Sequence, residues 1–158
     1  MPRIATDNLT VNNLGLFNEI TAPKQYSDNF ITNCHELDDL CQYAFFEEVP
    51  VGLVVSRYLQ AANSTSPKGL IVVILRVLSA YSKRFGLEDA LFDYVEKLAV
   101  QKKHLNTVYL LADPTADQWL VEDAKKRGYE EDQETKPEVD GKLLDDVEGK
   151  VLLKRVMK

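Results

Sequence analysis

The side chains most suited to chemistry are few. Two histidines and two cysteines are present, and three of the four are close in sequence: Cys34, His35 and Cys41. Their spacing matches no standard zinc pattern and a fourth ligand is lacking, so no metal is expected. His104 follows Lys102 and Lys103 between a helix and a strand, the setting of a solvated histidine. No Gly-x-Ser-x-Gly element exists, and no serine has the context of a nucleophile. Two cysteines seven positions apart make no disulfide framework, which points to a reduced, intracellular compartment. Trp119 opens a helix and reads as a packing residue. The most concentrated charge lies from Glu130 to Glu148, where nine acidic residues meet two basic ones for a net of −7. The whole chain of 158 residues carries −6, so the remainder stands at +1. The acidic segment reads as a solvated loop or a surface for a basic partner. An acidic chain is not a general nucleic-acid binder. No apolar run is long enough for a signal peptide or a membrane span, so no membrane association is expected.

The elements that must position any site follow from periodicity. Leu9, Leu14, Phe17 and Ile20 recur at near-helical spacing and predict a first helix, stopped by Pro23 at Ala22. A short second helix is expected from Ser27 to Cys34. Residues 42–47 and 51–59 read as strands joined by a tight connection at Glu48-Val49-Pro50, and residues 61–69 as a polar loop. Residues 70–78 (LIVVILRVL) have the continuous apolar pattern of a strand buried on both faces. Leu87, Leu91, Tyr94, Val95 and Leu98 mark one face of a third helix, with Ser82 as its N-cap and Lys102, Lys103 and His104 in its last turn. A strand is expected at 107–111, then a helix from Asp117, its N-cap, to Arg127, with Gly128 as C-cap. Tyr129 begins an edge strand and residues 150–156 form a closing strand. The length fits a single α/β domain over residues 1–158.

This order of elements resembles the GNAT acetyltransferase fold, a mixed, twisted sheet flanked by helices and splayed between its fourth and fifth strands. Local residues narrow the resemblance. Ala22-Pro23-Lys24-Gln25-Tyr26-Ser27-Asp28 is similar to the Phe-Pro-x-x-Tyr-x-Asp peptide-binding loop of the NatE-type (San) N-terminal acetyltransferases. Val51-Gly52, Leu78-Ser79-Ala80-Tyr81, Thr107-Val108-Tyr109-Leu110 and Glu134-Thr135-Lys136 also resemble that family, in the same order. The resemblance implies acetyl-CoA as cofactor. It also implies a cytoplasmic location and docking on the NatA complex, through a helical-repeat scaffold and its catalytic subunit, with ribosome association through that complex.

The family's functional positions are changed, as in a divergent, fungal-like member. GNAT proteins bind the CoA pyrophosphate at Arg/Gln-x-x-Gly-x-Gly/Ala, where glycines admit the phosphates and a helix N-terminus attracts them. Cofactor contacts are implied at Leu75, Val77, Lys83, Arg84, Gly86, Glu88 and Asp117. With Gly86 on the first glycine, Lys83 takes the basic position and Glu88 the second glycine. With Tyr81 in register, Phe85 and Leu87 fall on the glycines. In both registers the loop is degenerate, although Lys83 and Arg84 remain as phosphate partners. Glu88 and Asp89 can take the place of the phosphate at the helix end. The family's bases fall on Ile71 and Leu111, neither of which accepts a proton, and its helix-four Tyr on Ala124. The peptide-binding aromatic is Ala22, while Pro23 and Tyr26 are kept. The family's closing Tyr-Tyr pair is missing around Lys136 to Val139. The expectation is a NatE-type subunit that modulates NatA, with acetyl-CoA binding and catalysis weak or lost. Its partner surface is expected on the first helices and the hairpin around Glu47 to Pro50. An active enzyme aided by Tyr26, Tyr81 or Tyr109, and a stand-alone peptide-binding module, are the alternatives.

Overall fold

The chain opens as a strand whose residues alternate in burial, although Ile-Ala-Thr-Asp-Asn does not alternate in polarity. In the computed structural model, which describes residues 3–60, 66–133, 138–139, 142–143 and 149–157, β1 (Ile4–Asn8) pairs antiparallel with β2 (Cys41–Phe46). The sequence reading had no strand there. The expected first helix is also different: a 3-10 turn over Val11–Leu16 leads into a short helix α1 (Phe17–Thr21). Asn13 explains the break, because its side-chain oxygen accepts from the Thr10 N–H at 2.8 Å and holds a tight turn. Helix α2 (Asp28–Glu36) starts where expected, with the Ser27 hydroxyl oxygen accepting from the Phe30 N–H at 3.1 Å.

The long apolar runs form β3 (Val49–Gln60), β4 (Pro67–Val77) and β5 (Thr107–Ala112). Residues 67–69, read as loop, are already strand. Every residue of β5 is buried, the pattern of a strand covered on both faces. The remaining elements are α3 (Leu87–Lys97), α4 (Gln118–Lys126), β6 (Glu130–Glu131), β7 (Glu138–Val139), β8 (Lys142–Leu143) and β9 (Val151–Val156). A π-helical turn, Leu98–Lys102, continues α3. His104 lies beyond it at a φ of +56°, not in the helix's last turn. Asp117 precedes α4 as expected but makes no side-chain cap, and Gly128 follows with a φ of +102°.

The strands form a mixed sheet in the order β1-β2-β3-β4-β5-β9-β6, and β7 pairs with β8 separately. The β4–β5 ladder is parallel and short, running from Leu70 and Val108 to Val72 and Leu110. Both strands continue past it, to Val77 and Ala112. The backbone groups of β5 are satisfied on its other edge by antiparallel pairing to β9 along its full length.

Two compact units partition these elements: residues 1–56 with 74–94, and residues 57–73 with 95–158. In the first, Phe17, Tyr26 and Phe30 pack as an aromatic cluster beneath α1 and α2. In the second, Leu59, Ile71, Tyr109, Leu111 and Leu152 form an apolar core. Gly69 lets β4 approach β5, because a Cβ there would lie 2.5 Å from the Thr107 carbonyl oxygen.

Candidate functional site

In the first unit, the segment between β4 and α3 is the candidate phosphate loop. It turns through Leu78, whose N–H donates to Val51 O at 2.8 Å, and through Lys83 and Gly86, with φ of +59° and +80°. Ser82 does not cap α3, which starts five residues later. Its hydroxyl instead donates to the Glu88 Oε2 at 2.7 Å, and the Lys83 N–H donates to the same oxygen at 2.9 Å. Glu88 is only 5% exposed. A carboxylate of the chain therefore holds one backbone N–H and one hydroxyl of this loop. Charge-assisted bonds of this kind are the strong ones. An anion brought to these two donors would meet the Glu88 carboxylate.

The rest of the loop is aromatic. Phe85 stacks on Phe46, with centroids 4.4 Å apart, and Tyr81 completes the group. The Arg84 guanidinium lies 5.7 Å from the Phe85 centroid and donates to Ala80 O at 3.3 Å. Leu75 and Val77 are buried in β4, so their side chains face the core.

The candidate peptide loop belongs to the same unit. Ala22 and Pro23 are exposed, with a cis bond between them. The Ala22 carbonyl accepts from Arg76 Nη2 at 3.0 Å. Tyr26 is half-buried. Asn18 clamps its backbone from both sides, accepting from its N–H at 2.8 Å and donating to its carbonyl at 3.0 Å. Its ring stacks on Phe30 at 4.7 Å. Tyr26 thus builds the α1–α2 corner.

The positions that the resemblance assigns to catalysis, Ile71, Leu111 and Ala124, lie in the second unit and carry hydrocarbon side chains. Ile71 is fully buried and Leu111 is 9% exposed, both in the cluster with Leu59, Tyr109 and Leu152. Ala124 is fully buried in α4. No proton acceptor is contributed by these three side chains. Asp117 is half-buried, and its carbonyl accepts from the N–H groups of Leu120 and Val121. Asp113 is the structured acid of this turn. Its carboxylate accepts from the N–H groups of Ala116 and Thr115, which lower its pKa.

A polar cluster in this unit escaped the sequence reading. Glu96, 8% exposed, accepts from Arg127 Nη2 at 2.7 Å, from Arg155 Nη1 at 3.0 Å and from the Tyr129 hydroxyl at 2.8 Å. Burial, then the Glu96 charge, pushes the Tyr129 hydroxyl far above the ordinary tyrosine range. All its donors are cationic or neutral and all are engaged, so the cluster ties α3, α4 and β9 together and offers no reactive group. The signal was available in α3: Glu88, Phe92 and Glu96 form an i, i+4, i+8 stripe with a buried aromatic at its centre.

Cys34 and Cys41 are buried and not joined in a disulfide. His35 is half-buried and His104 exposed. Among the described residues no cluster of three or more His, Cys, Asp or Glu side chains has metal-site geometry, and no helix is long and apolar enough to cross a membrane. Trp119 is half-buried in α4. The missing Tyr-Tyr pair and most of the acidic segment lie outside the described residues.

No family model matches the chain. It is 24% identical over 120 residues to a Drosophila melanogaster protein named probable N-acetyltransferase san, covering 76% of this chain and 62% of that one. It is 26% identical over 111 residues to N-alpha-acetyltransferase 50 of Danio rerio, covering 68% and 64%. The match thus spans less than two thirds of either relative. Arabidopsis thaliana Naa50, solved with the bisubstrate analogue CoA-Ac-MVNAL, superposes with a TM-score of 0.72 at 17% identity, covering 98% of this chain and 99% of that one. Arabidopsis thaliana NAA60, solved with a bisubstrate analogue, gives 0.73 at 18% identity over 99% and 100%. The chain has the GNAT fold, and its sequence is similar to N-acetyltransferases of the San type.

Proposed function

We propose that the chain is a NatE-type subunit of the N-terminal acetylation machinery, a single GNAT domain with little or no catalysis of its own. In this reading it binds the cytoplasmic NatA assembly, chiefly its helical-repeat scaffold and also its catalytic subunit, and modulates it. Similarity to the san and N-alpha-acetyltransferase 50 proteins supports the assignment to N-terminal acetylation.

One observation carries the proposed loss of activity: the Glu88 carboxylate on the Ser82 hydroxyl and the Lys83 N–H. A phosphate charge about 5 Å from that carboxylate, at an effective dielectric of about 20, is repelled by roughly 3 kcal/mol. That is about two decades of affinity. Acetyl transfer also needs a group that takes the proton from the attacking amine. Ile71, Leu111 and Ala124 supply none.

The test has two arms. Purified protein is incubated with acetyl-CoA and Met-starting peptides, and separately mixed with purified NatA. Background-level acetylation together with stable co-elution with NatA is the expected result. Acetylation well above the uncatalysed rate would establish the active enzyme instead. Failure to co-elute would refute the NatA role.

A further inference from the structure

β1 stands at one end of the sheet, and among the described residues no strand lies beyond it. Its bonding to β2 fixes which backbone groups face outward. The Glu47 N–H donates to Arg3 O at 3.0 Å, and the β1–β2 register sets these two residues opposite each other. In an antiparallel ladder such bonded pairs alternate with unbonded ones. Arg3, Ala5 and Asp7 therefore turn their backbone groups to β2, and Ile4, Thr6 and Asn8 turn theirs away. The β2–β3 connection gives the same parity. It was expected at Glu48-Val49-Pro50, but Val49 and Pro50 are already strand, and Phe46 pairs with Val49. The turn is Glu47 and Glu48 alone, with φ of +49° and +70°, so Phe46 bonds to Val49 and faces β3.

The Asn8 N–H is taken by the Asp7 carboxylate at 2.8 Å. The outward array is thus the N–H and C=O of Ile4 and of Thr6, followed by the Asn8 carbonyl. β1 has no lysine, proline or bulge, the usual guards of an open edge. The side chains of Arg3, Ala5 and Asp7 share one exposed face, basic at its start, small in the middle and acidic at its end. An antiparallel copy related by a two-fold axis at Ala5 matches both patterns. Ile4 of one copy then faces Thr6 of the other, and every N–H of this pair meets a C=O. Arg3 faces Asp7 as an unbonded pair, the kind whose side chains stand closest. Arg3 already has an exposed ion pair with Glu48 at 3.6 Å, and its guanidinium carries donors enough for a second carboxylate. A parallel copy in register would set Asp7 against Asp7.

We infer that β1 pairs with β1 of a second copy in this antiparallel register and continues the sheet across two chains. The contact is one short strand long and partly charged, so the dimer is weak, reversible and salt-sensitive.

Sedimentation velocity from low to high micromolar protein, with amide hydrogen exchange read by NMR over the same range, tests this. Wild type is expected to associate, and the Ile4 and Thr6 amides to gain protection as it does. Thr6→Pro removes an outward N–H and leaves the β1–β2 ladder its donors, so it is expected to stay folded and monomeric. Asp7→Arg changes an exposed side chain and keeps the test open should the proline variant not fold. It sets like charges opposite each other twice per dimer and is expected to weaken association by about tenfold or more. Circular dichroism checks the fold of each variant. A wild type that stays monomeric, association without protection of Ile4 and Thr6, or a folded variant of either kind that associates like wild type would each overturn the proposal. None of these outcomes bears on NatA binding or on acetylation.

Discussion

Replacing Glu96 by Ala removes the acceptor shared by three donors. The Tyr129 side chain belongs to a residue only 2% exposed, so its hydroxyl loses a 2.8 Å bond with no water to replace it. An orphaned buried donor costs about 1–3 kcal/mol. The Arg127 side chain is 18% exposed and loses bonds of 2.7 and 3.4 Å. Its charge is left largely desolvated, at a cost of about 2 kcal/mol. The Arg155 side chain is 34% exposed, so water screens its loss to about 0–1 kcal/mol. Together the loss is roughly 3–6 kcal/mol, which overlaps the about 3–5 kcal/mol for breaking a buried ion pair from one side. Against a typical total of about 5–15 kcal/mol, the variant should unfold at a much lower urea concentration with an unchanged slope. Glu96→Gln keeps the shape and part of the bonding, and should lose about half as much. A Glu96→Ala protein within about 1 kcal/mol of wild type would refute the view that this cluster holds α3, α4 and β9 together.

Three tyrosines, of which only Tyr129 belongs to this cluster, set an alkaline limit. Tyr129, Tyr43 and Tyr94 are all raised above the usual tyrosine pKa of 10.0, each by burial first. The folded chain keeps protons that the unfolded chain releases near pH 10. Stability is therefore fully present below that pH and falls above it, by about 1.4 kcal/mol per pH unit for each tyrosine. Urea midpoints at about pH 9 and 11 read the slope, which should be shallower in Tyr129→Phe; a flat profile would contradict it. Gly69→Ala places a Cβ 2.5 Å from the Thr107 carbonyl oxygen and 3.0 Å from the Tyr109 ring. It should destabilise by about 1–3 kcal/mol, whereas Gly15→Ala, with nothing within 4 Å, should not. Thermal melts compare the two.

What the sequence made legible follows physical lines. Runs such as 70–78 and 107–111 are apolar enough to announce buried strands, and a helix starting near Ser27 and the α3 face follow local spacing. β1 was illegible because its partner is remote: Ile4 pairs with Phe46, and the short segment Ile-Ala-Thr-Asp-Asn lacks the apolar–polar alternation that marks a strand. The first helix failed where Asn13 closes a local turn that competes with helix. At the candidate site, the sequence alone shows that Ile71, Leu111 and Ala124 carry no proton acceptor. The sequence already put Glu88 where a phosphate would sit; its burial and its two donors, Ser82 and Lys83, required coordinates. The Glu96 cluster required them more, because its partners lie 31, 33 and 59 positions away.

Whether the α3 loop refuses acetyl-CoA is read by calorimetric titration of acetyl-CoA into wild type and Glu88→Gly under the same conditions. Wild type should give weak binding or none, and the glycine variant should bind about a hundredfold more tightly, as expected from removing roughly 3 kcal/mol of repulsion and freeing the Lys83 N–H. Tight binding to wild type, unchanged in the variant, would show that Glu88 does not close the loop.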